Sequence, residues 1–132
     1  LSLYFDNHAE GRVSDIYLCN GSEYSITDVT ASLVGTTANL DDLSPTTVSS
    51  DGDVLVTSTE TRCVQCLAAG QMSLISHYDV ICDGDFLLIC DLIYIYRIGD
   101  AEAITARAIV DKGHNGRGFV QFQPPTKQTR LF

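Results

Sequence analysis

The stretch C-D-G-D-F-L-L-I-C-D-L-I-Y-I-Y-R-I-G-D, residues 82 to 100, decides the fold class of this chain. Its apolar part runs from Phe86 to Ile98, is interrupted by Asp91 and Arg97, and is bounded by Gly84 and Gly99. A membrane-spanning helix needs about 20 largely apolar residues, so this segment is too short to cross a bilayer. Its isoleucines and tyrosines favour a strand, and a two-residue period divides it into one continuously apolar face and one face that carries the two charges. The segment is therefore predicted to be a central strand, buried on one face and largely covered on the other. The inward face is predicted to carry Phe86, Leu88, Leu92 and Tyr94.

Other segments along the chain show the same two-residue alternation. These candidate strands are residues 2–6, 13–19, 24–34, 53–58, 61–67, 73–81, 102–110 and 118–123. Turn dipeptides such as Asn-Gly and Asp-Gly separate them, and only residues 100–109 also allow a short helix. The pattern predicts an all-β antiparallel β-sandwich, immunoglobulin-like or jelly-roll-like, with about seven to nine strands and at most one or two short helices. Residues 1–123 are predicted to form this single β-sandwich domain, and residues 124–132 an extended C-terminal arm.

Short segments of the chain resemble immunoglobulin-like sandwich domains. They are C-N-G-S at 19–22, Y-S-I-T-D-V-T-A-S-L at 24–33, L-A-A-G-Q-M-S-L-I at 67–75 and G-D-F-L-L-I-C-D-L-I-Y at 84–94. The resemblance spans residues 13 to 96 and implies a sandwich architecture, without carrying any catalytic residue across. The chain departs from antibody-type domains because it has no Trp and so lacks their Cys–Trp–Cys core.

The charge balance limits the partners. The chain has 17 Asp and Glu against 8 Lys and Arg, a formal net charge of -9. Phosphate binding needs clustered cations, so this balance disfavours both a nucleic-acid partner and docking on anionic lipid. We therefore expect other protein subunits as partners, including further copies of the chain in a homo-oligomer, with no nucleic acid and no membrane insertion.

The 5 cysteines are predicted to be mostly reduced. An odd number leaves at least one thiol unpaired, and most lie among apolar residues, where a thiol acts as a small hydrophobe. Reduced thiols favour a cytoplasmic location or a particle assembled in the cytoplasm, and secretion after removal of a signal peptide stays an alternative. Asn20-Gly21-Ser22 matches a glycosylation acceptor, although Asn-Gly is also a turn signal.

The sharpest motif is Cys63-Val64-Gln65-Cys66. Two thiolates at this spacing can form a redox pair or half of a zinc site. A redox motif usually opens a helix, whereas the flanks here indicate a strand, in which positions i and i+3 point to opposite faces. A zinc site needs two further ligands, for which Cys82 and His77 are the nearest candidates. Structural thiols are the favoured interpretation, with a redox pair or a zinc site at Cys63 and Cys66 as the alternatives.

Two Asp-Gly-Asp triplets are weak candidates for a calcium site. They place carboxylates at Asp51, Asp53, Asp83 and Asp85, but neither triplet is followed by the further oxygen ligands and distal Glu of a loop site. Turn chemistry accounts for them, since Asp-Gly is favoured where φ is positive. No cofactor is expected.

Residues 111–118 are predicted to form a flexible hairpin, because G-H-N-G-R-G precedes a strand rather than the helix that a phosphate cradle needs. His114 and Arg117 are expected to be exposed there and are candidates for partner binding. The arm ends in Leu131-Phe132, an apolar pair that is costly to leave in water. We expect this pair to dock on a neighbouring subunit, with folding back of the arm on its own domain as the alternative.

No catalytic site is recognisable in the sequence. The histidines are scattered along the chain and no G-x-S-x-G motif occurs, so the protein is expected not to be an enzyme. The predicted function is a non-enzymatic structural or interaction module, a subunit or appendage domain of a larger assembly such as a virion, phage particle or filament. The alternatives are a carbohydrate- or calcium-binding module that uses loops 36–52 and 111–118, and a small thiol-redox or zinc protein built on Cys63 and Cys66.

Overall fold

A computed structural model describes residues 1–36, 59–84, 86–96 and 102–123, together with the backbone of 126–129. Within these residues the chain forms strands and no helix, so the predicted all-β class is confirmed. The strands are β1 Ser2–Asn7, β2 Val13–Cys19, β3 Ile26–Thr36, β4 Glu60–Leu67, β5 Met72–Asp79, β6 Leu87–Tyr96, β7 Glu102–Val110, β8 Gly118–Gln121 and β9 Thr126–Thr129. The segment that also allowed a short helix is strand β7. The candidate strand 53–58 lies outside the described residues.

The strands form two antiparallel sheets. The four-stranded sheet has the order β5-β2-β1-β8, and the five-stranded sheet has the order β4-β3-β6-β7-β9. Strand β6, formed by the apolar segment that predicted a central strand, lies in the middle of the five-stranded sheet. In the described part of the chain, no helix is long and apolar enough to span a membrane.

The hydrophobic core lies between the two sheets. It includes Leu3 and Phe5 of β1, Ile16 and Leu18 of β2, and Cys90, Leu92 and Tyr94 of β6. Leu92 is fully buried, whereas its neighbour Ile93 is 47% exposed on the opposite face of β6. Of the residues predicted to face inward, Leu92 and Tyr94 belong to the core, Leu88 packs against it while partly buried, and Phe86 precedes the strand in a half-buried position. The opposite face of β6 is covered at Leu87, Ile89 and Ile95.

A bulge interrupts the alternation of side chains on strand β5 of the four-stranded sheet. The pairing of β2 with β5 shifts between Ile16 and Tyr17, so that Ile75 is an extra residue on β5. Because a bulge of this kind adds one residue to one strand, the side chains beyond it lie on the face opposite to the one that strict alternation predicts. As a result Ile75 is fully buried, while Leu74 is 47% exposed and the side chain of His77 is 63% exposed.

Part of the C-terminal arm pairs with the domain itself. Thr126–Thr129 forms β9, which runs antiparallel to β7 with Glu102 opposite Thr129 and Thr105 opposite Thr126. At Thr126–Thr129 the arm therefore folds back on its own domain, which is the second of the two alternatives that the sequence left open. Leu131 and Phe132 lie outside the described residues, so their docking on a neighbouring subunit stays a prediction.

Candidate functional site

The outer face of the four-stranded sheet carries a row of aromatic and aliphatic side chains. Tyr4 on the central strand β1 lies opposite Tyr17 of β2 on one side and Phe119 of β8 on the other, and Tyr17 lies opposite Leu74 of β5. We call these four residues the aromatic row. The ring centroids of Tyr4 and Phe119 are 4.7 Å apart, and those of Tyr4 and Tyr17 are 6.4 Å apart.

The aromatic row is open to solvent. Phe119 is 62% exposed and Leu74 is 47% exposed, while the two tyrosines are partly buried between them. Met72 lies near Leu74 on β5, opposite Cys19, and is 53% exposed. Isolated apolar residues on a surface are ordinary, whereas a contiguous exposed group of this kind makes this face the candidate for a functional site.

A cluster of two histidines and an aspartate adjoins the aromatic row on the same face. Both His8 Nε2 and His77 Nδ1 lie within hydrogen-bond distance of Asp15 Oδ1, at 3.0 and 2.9 Å. The side chain of Asp15 is 23% exposed. The hydrogen bond from His8 is the largest cause that lowers the pKa of Asp15, with a smaller contribution in the same direction from His77 and an opposing one from burial. We call these three residues the Asp15 cluster.

The Asp15 cluster corrects, for two of the three histidines, the expectation that the histidines are scattered. His8 follows β1, Asp15 is on β2 and His77 is on β5, and the sheet brings them together because Asp15 and His77 are paired in register. A carboxylate that orients an imidazole is one part of a catalytic triad. Among the described residues, however, no hydrogen bond joins either imidazole to a Ser, Thr or Cys side chain, and no group of His, Cys, Asp and Glu is arranged to hold a metal. The Asp15 cluster places one carboxylate and two imidazoles beside the aromatic row.

The predicted hairpin at 111–118 is partly packed into the domain. The His114 ring lies 4.5 Å from that of Phe5 and 5.8 Å from that of Tyr78, measured between centroids. The expectation that His114 is exposed is therefore wrong, because two core aromatic rings hold it half-buried. This burial lowers the pKa of His114, with a smaller opposing contribution from Asp111. Arg117 is exposed, as expected, and donates a hydrogen bond from Nη2 to Asn7 Oδ1 at 3.4 Å.

The carboxylate of Asp83 is engaged in a turn that follows β5. Asp83 Oδ2 accepts a hydrogen bond from the backbone N–H of Asp79 at 2.7 Å. Asp79 Oδ1 in turn accepts the backbone N–H groups of Ile81 and Cys82, and its Oδ2 accepts Arg12 Nε at 2.9 Å. These bonds, led by the backbone N–H of Cys82, lower the pKa of Asp79. The other calcium candidates, Asp51, Asp53 and Asp85, lie outside the described residues.

Cys63 and Cys66 lie on β4, the edge strand of the five-stranded sheet, and both are exposed and unpaired. They are three positions apart on a strand, so their side chains leave from opposite faces. Cys82 is also exposed, and Arg12 Nη2 lies 3.6 Å from its sulfur. Cys90 is fully buried in the core, where burial raises the pKa of its thiol to about 12.

Asn20, the glycosylation candidate, is buried. The residue is 1% exposed, and its side-chain Nδ2 donates hydrogen bonds to the backbone carbonyls of Tyr24, at 2.8 Å, and Leu67, at 2.9 Å. Its Oδ1 accepts the hydroxyl of Ser22 at 2.6 Å. The Asn-Gly pair therefore organises the turn between β2 and β3, and its amide nitrogen is used within the protein.

An apolar hollow of about 410 Å³ opens between the sheets on the side of β7. It is lined by Leu1, Ser22, Tyr94, Tyr96, Ile104, Ala106, Phe122 and Gln123. A second open hollow, of about 430 Å³, adjoins the aromatic row at Tyr4 and is bordered by the polar side chains of Asn7, His8 and Arg117. The second hollow extends the candidate site on the outer face toward the 111–118 loop.

The sequence held part of the signal for this site. Leu3 and Phe5 alternate with Tyr4, and Ile16 and Leu18 alternate with Tyr17, so both tyrosines are expected to face outward. Strands β5 and β8 lie beside these two tyrosines because of long-range strand pairing, which no local pattern in the sequence specifies. The bulge at Ile75 also prevents the sequence from predicting that Leu74 and His77 share the outer face, because strict alternation places these two residues on opposite faces.

The fold and the site together define an all-β antiparallel sandwich with an exposed aromatic row on one outer face. No family model, no curated protein and no solved structure matches the chain.

Proposed function

We propose that the protein is a non-enzymatic interaction module that packs against other protein subunits through the outer face of its four-stranded sheet. In this proposal it is a subunit or appendage domain of a larger assembly, such as a virion, phage particle or filament. The partner is another protein or a further copy of the chain.

The observation that carries the proposal is the exposure of the aromatic row. Phe119, Leu74 and Met72 are each about half or more exposed, and they lie on one continuous face. Covering apolar surface contributes about 25 cal/mol per Å², and aromatic side chains dominate the energy of protein interfaces. The polar groups of the Asp15 cluster and Arg117 lie beside this apolar centre, as at the rim of a typical interface.

The strand order supports an immunoglobulin-like architecture for this module. In such domains the first, second and fifth strands lie in one sheet, and the third strand pairs in the other sheet with the two strands that follow the fifth. Here β1, β2 and β5 lie together opposite a sheet in which β4, β3, β6 and β7 are consecutive. Sandwiches of this kind commonly serve as interaction domains, although the architecture alone specifies no partner.

The loop-based alternative has less support. It relies on residues 111–118, where His114 is packed against Phe5 and Tyr78, and on loop 36–52, of which the structure describes only the first residue. The aromatic row itself could stack on a sugar ring, and a panel of oligosaccharides tested by calorimetry distinguishes this function from protein binding.

The proposal is tested by photo-cross-linking in cells of the source organism. The photoreactive residue p-benzoylphenylalanine replaces Phe119 in one variant and Ile93 in a control. Ile93 is a matched control because it is 47% exposed on the outer face of the other sheet. We expect position 119 to give a discrete protein adduct and position 93 to give none. Adducts from position 93 alone, or none from position 119 in the assembled protein, would contradict the proposal.

A further inference from the structure

We propose that the partner presents a basic side chain, Lys or Arg, which lies on the aromatic row and pairs with Asp6. This inference rests on the proposed function, because it names the chemistry of the partner that the outer face binds.

A pair of like charges lies on this face. Asp6 on β1 is directly opposite Asp15 on β2. Two carboxylates at opposed positions of a sheet destabilise it, because their side chains are close neighbours. Local conflicts of this kind in a folded protein tend to occur at functional positions.

Only one of the two carboxylates is compensated. Both imidazoles of the Asp15 cluster lie within hydrogen-bond distance of Asp15 Oδ1. Asp6 is exposed, and the structure gives its carboxylate no hydrogen bond or ion pair with another described residue. Arg117 donates its side-chain hydrogen bond to Asn7, and Arg12 donates its Nε–H to Asp79, so neither of these described guanidinium groups pairs with Asp6. A cation from outside the chain would relieve the repulsion.

Asp6 also lies beside the aromatic row. Tyr4 precedes it by two residues on the same strand, so both side chains leave the outer face of the sheet. A cation is attracted to the face of an aromatic ring within about 6 Å of its centre. A Lys or Arg side chain can therefore lie along Tyr4 and Phe119 with its charged group at Asp6. The net charge of -9 favours the approach of a basic partner.

The test uses Nα-acetyl-arginine amide as the probe and Nα-acetyl-citrulline amide as its neutral analogue of the same shape. Both are titrated into the wild-type protein at about 0.15 M salt, where long-range attraction is screened, and binding is followed by NMR. We expect the arginine probe to shift the amides around Tyr4 and Asp6 and to bind about fivefold or more tightly than the citrulline probe. Asp6→Asn should weaken the arginine probe about threefold or more and leave the citrulline probe unchanged.

Glu23→Gln is the control for net charge, because it removes the same charge from an exposed residue beyond the far end of β2. It should leave the affinity for both probes unchanged. Equal binding of the two probes, an equal effect of the two substitutions, or shifts confined to another surface would overturn the basic partner. If position 119 nevertheless cross-links to a protein, the docking face itself stands. The absence of that cross-link would overturn the proposed function.

Discussion

The substitution Leu92→Ala tests the assignment of the core. Leu92 lies on the central strand β6, is fully buried, and belongs to the cluster between the sheets. Truncation removes three carbon atoms from this environment, which at about 0.8 kcal/mol each costs about 2.4 kcal/mol. The cavity that remains adds to this cost, so we expect the free energy of unfolding to fall by about 3 kcal/mol, within the usual range of about 2–5 kcal/mol.

This loss is measured by urea unfolding, followed by circular dichroism. For a chain of 132 residues it corresponds to a decrease in Tm of about 11 °C. Ile93→Thr is the matched control, since Ile93 is the next residue, lies 47% exposed on the opposite face, and keeps a β-branched side chain when it becomes Thr. The control should cost less than about 1 kcal/mol. A cost below about 1 kcal/mol for Leu92→Ala, or equal costs for the two variants, would mean that the face of β6 is wrongly assigned.

Further predictions concern other buried and exposed groups. Asn20→Ala should lower the free energy of unfolding by about 2–4 kcal/mol, because it removes the buried side-chain donor that bonds the carbonyls of Tyr24 and Leu67. A loss below about 0.5 kcal/mol in urea unfolding would refute this. Burial lowers the pKa of His114 in the folded protein, so this imidazole binds a proton more readily in the unfolded chain than in the folded one. The free energy of unfolding should therefore fall as the pH decreases from about 7 to about 5. His114→Phe should reduce that fall, and an unchanged pH dependence of Tm would count against the packing of this ring. Thiol titration of the native protein should label three cysteines rapidly and the other two only on unfolding, whereas rapid labelling of all five would contradict the assigned burial. The rapidly labelled residues are Cys63, Cys66 and Cys82, and the slow ones are Cys19 and Cys90.

Strands with uninterrupted alternation can be predicted closely from the sequence. The pattern predicts β2 at residues 13–19, as the structure has it, because inward apolar residues alternate there with outward ones between clear turns. The bounds of β7, 102–110, are predicted as well, although the Ala-rich segment 100–109 left a short helix open as an alternative. For β5 the pattern continues to residue 81, but the strand ends at Asp79, where the side chains of Asp79 and Asp83 bind backbone N–H groups and form a turn.

The candidate site can be predicted only in part. The outward positions of Tyr4 and Tyr17 follow from alternation within one hairpin, whose register is local. His77 lies beside Asp15, and Phe119 beside Tyr4, only because strands that are far apart in the chain pair with each other. The pairing of β9 with β7 escapes prediction for a related reason, since four polar residues at an edge carry no hydrophobic pattern.

The central claim is that the outer face of the four-stranded sheet is covered in the assembled protein. Hydroxyl-radical footprinting measures this directly, by comparing the oxidation of individual side chains inside cells with that in the purified chain. Phe119 and Met72 are 62% and 53% exposed, and Tyr24, which is 44% exposed in the turn between β2 and β3, is the internal control. We expect Phe119 and Met72 to be protected several-fold in the cell while Tyr24 is oxidised at an unchanged rate. Equal oxidation of Phe119 and Met72 in both states would contradict the claim.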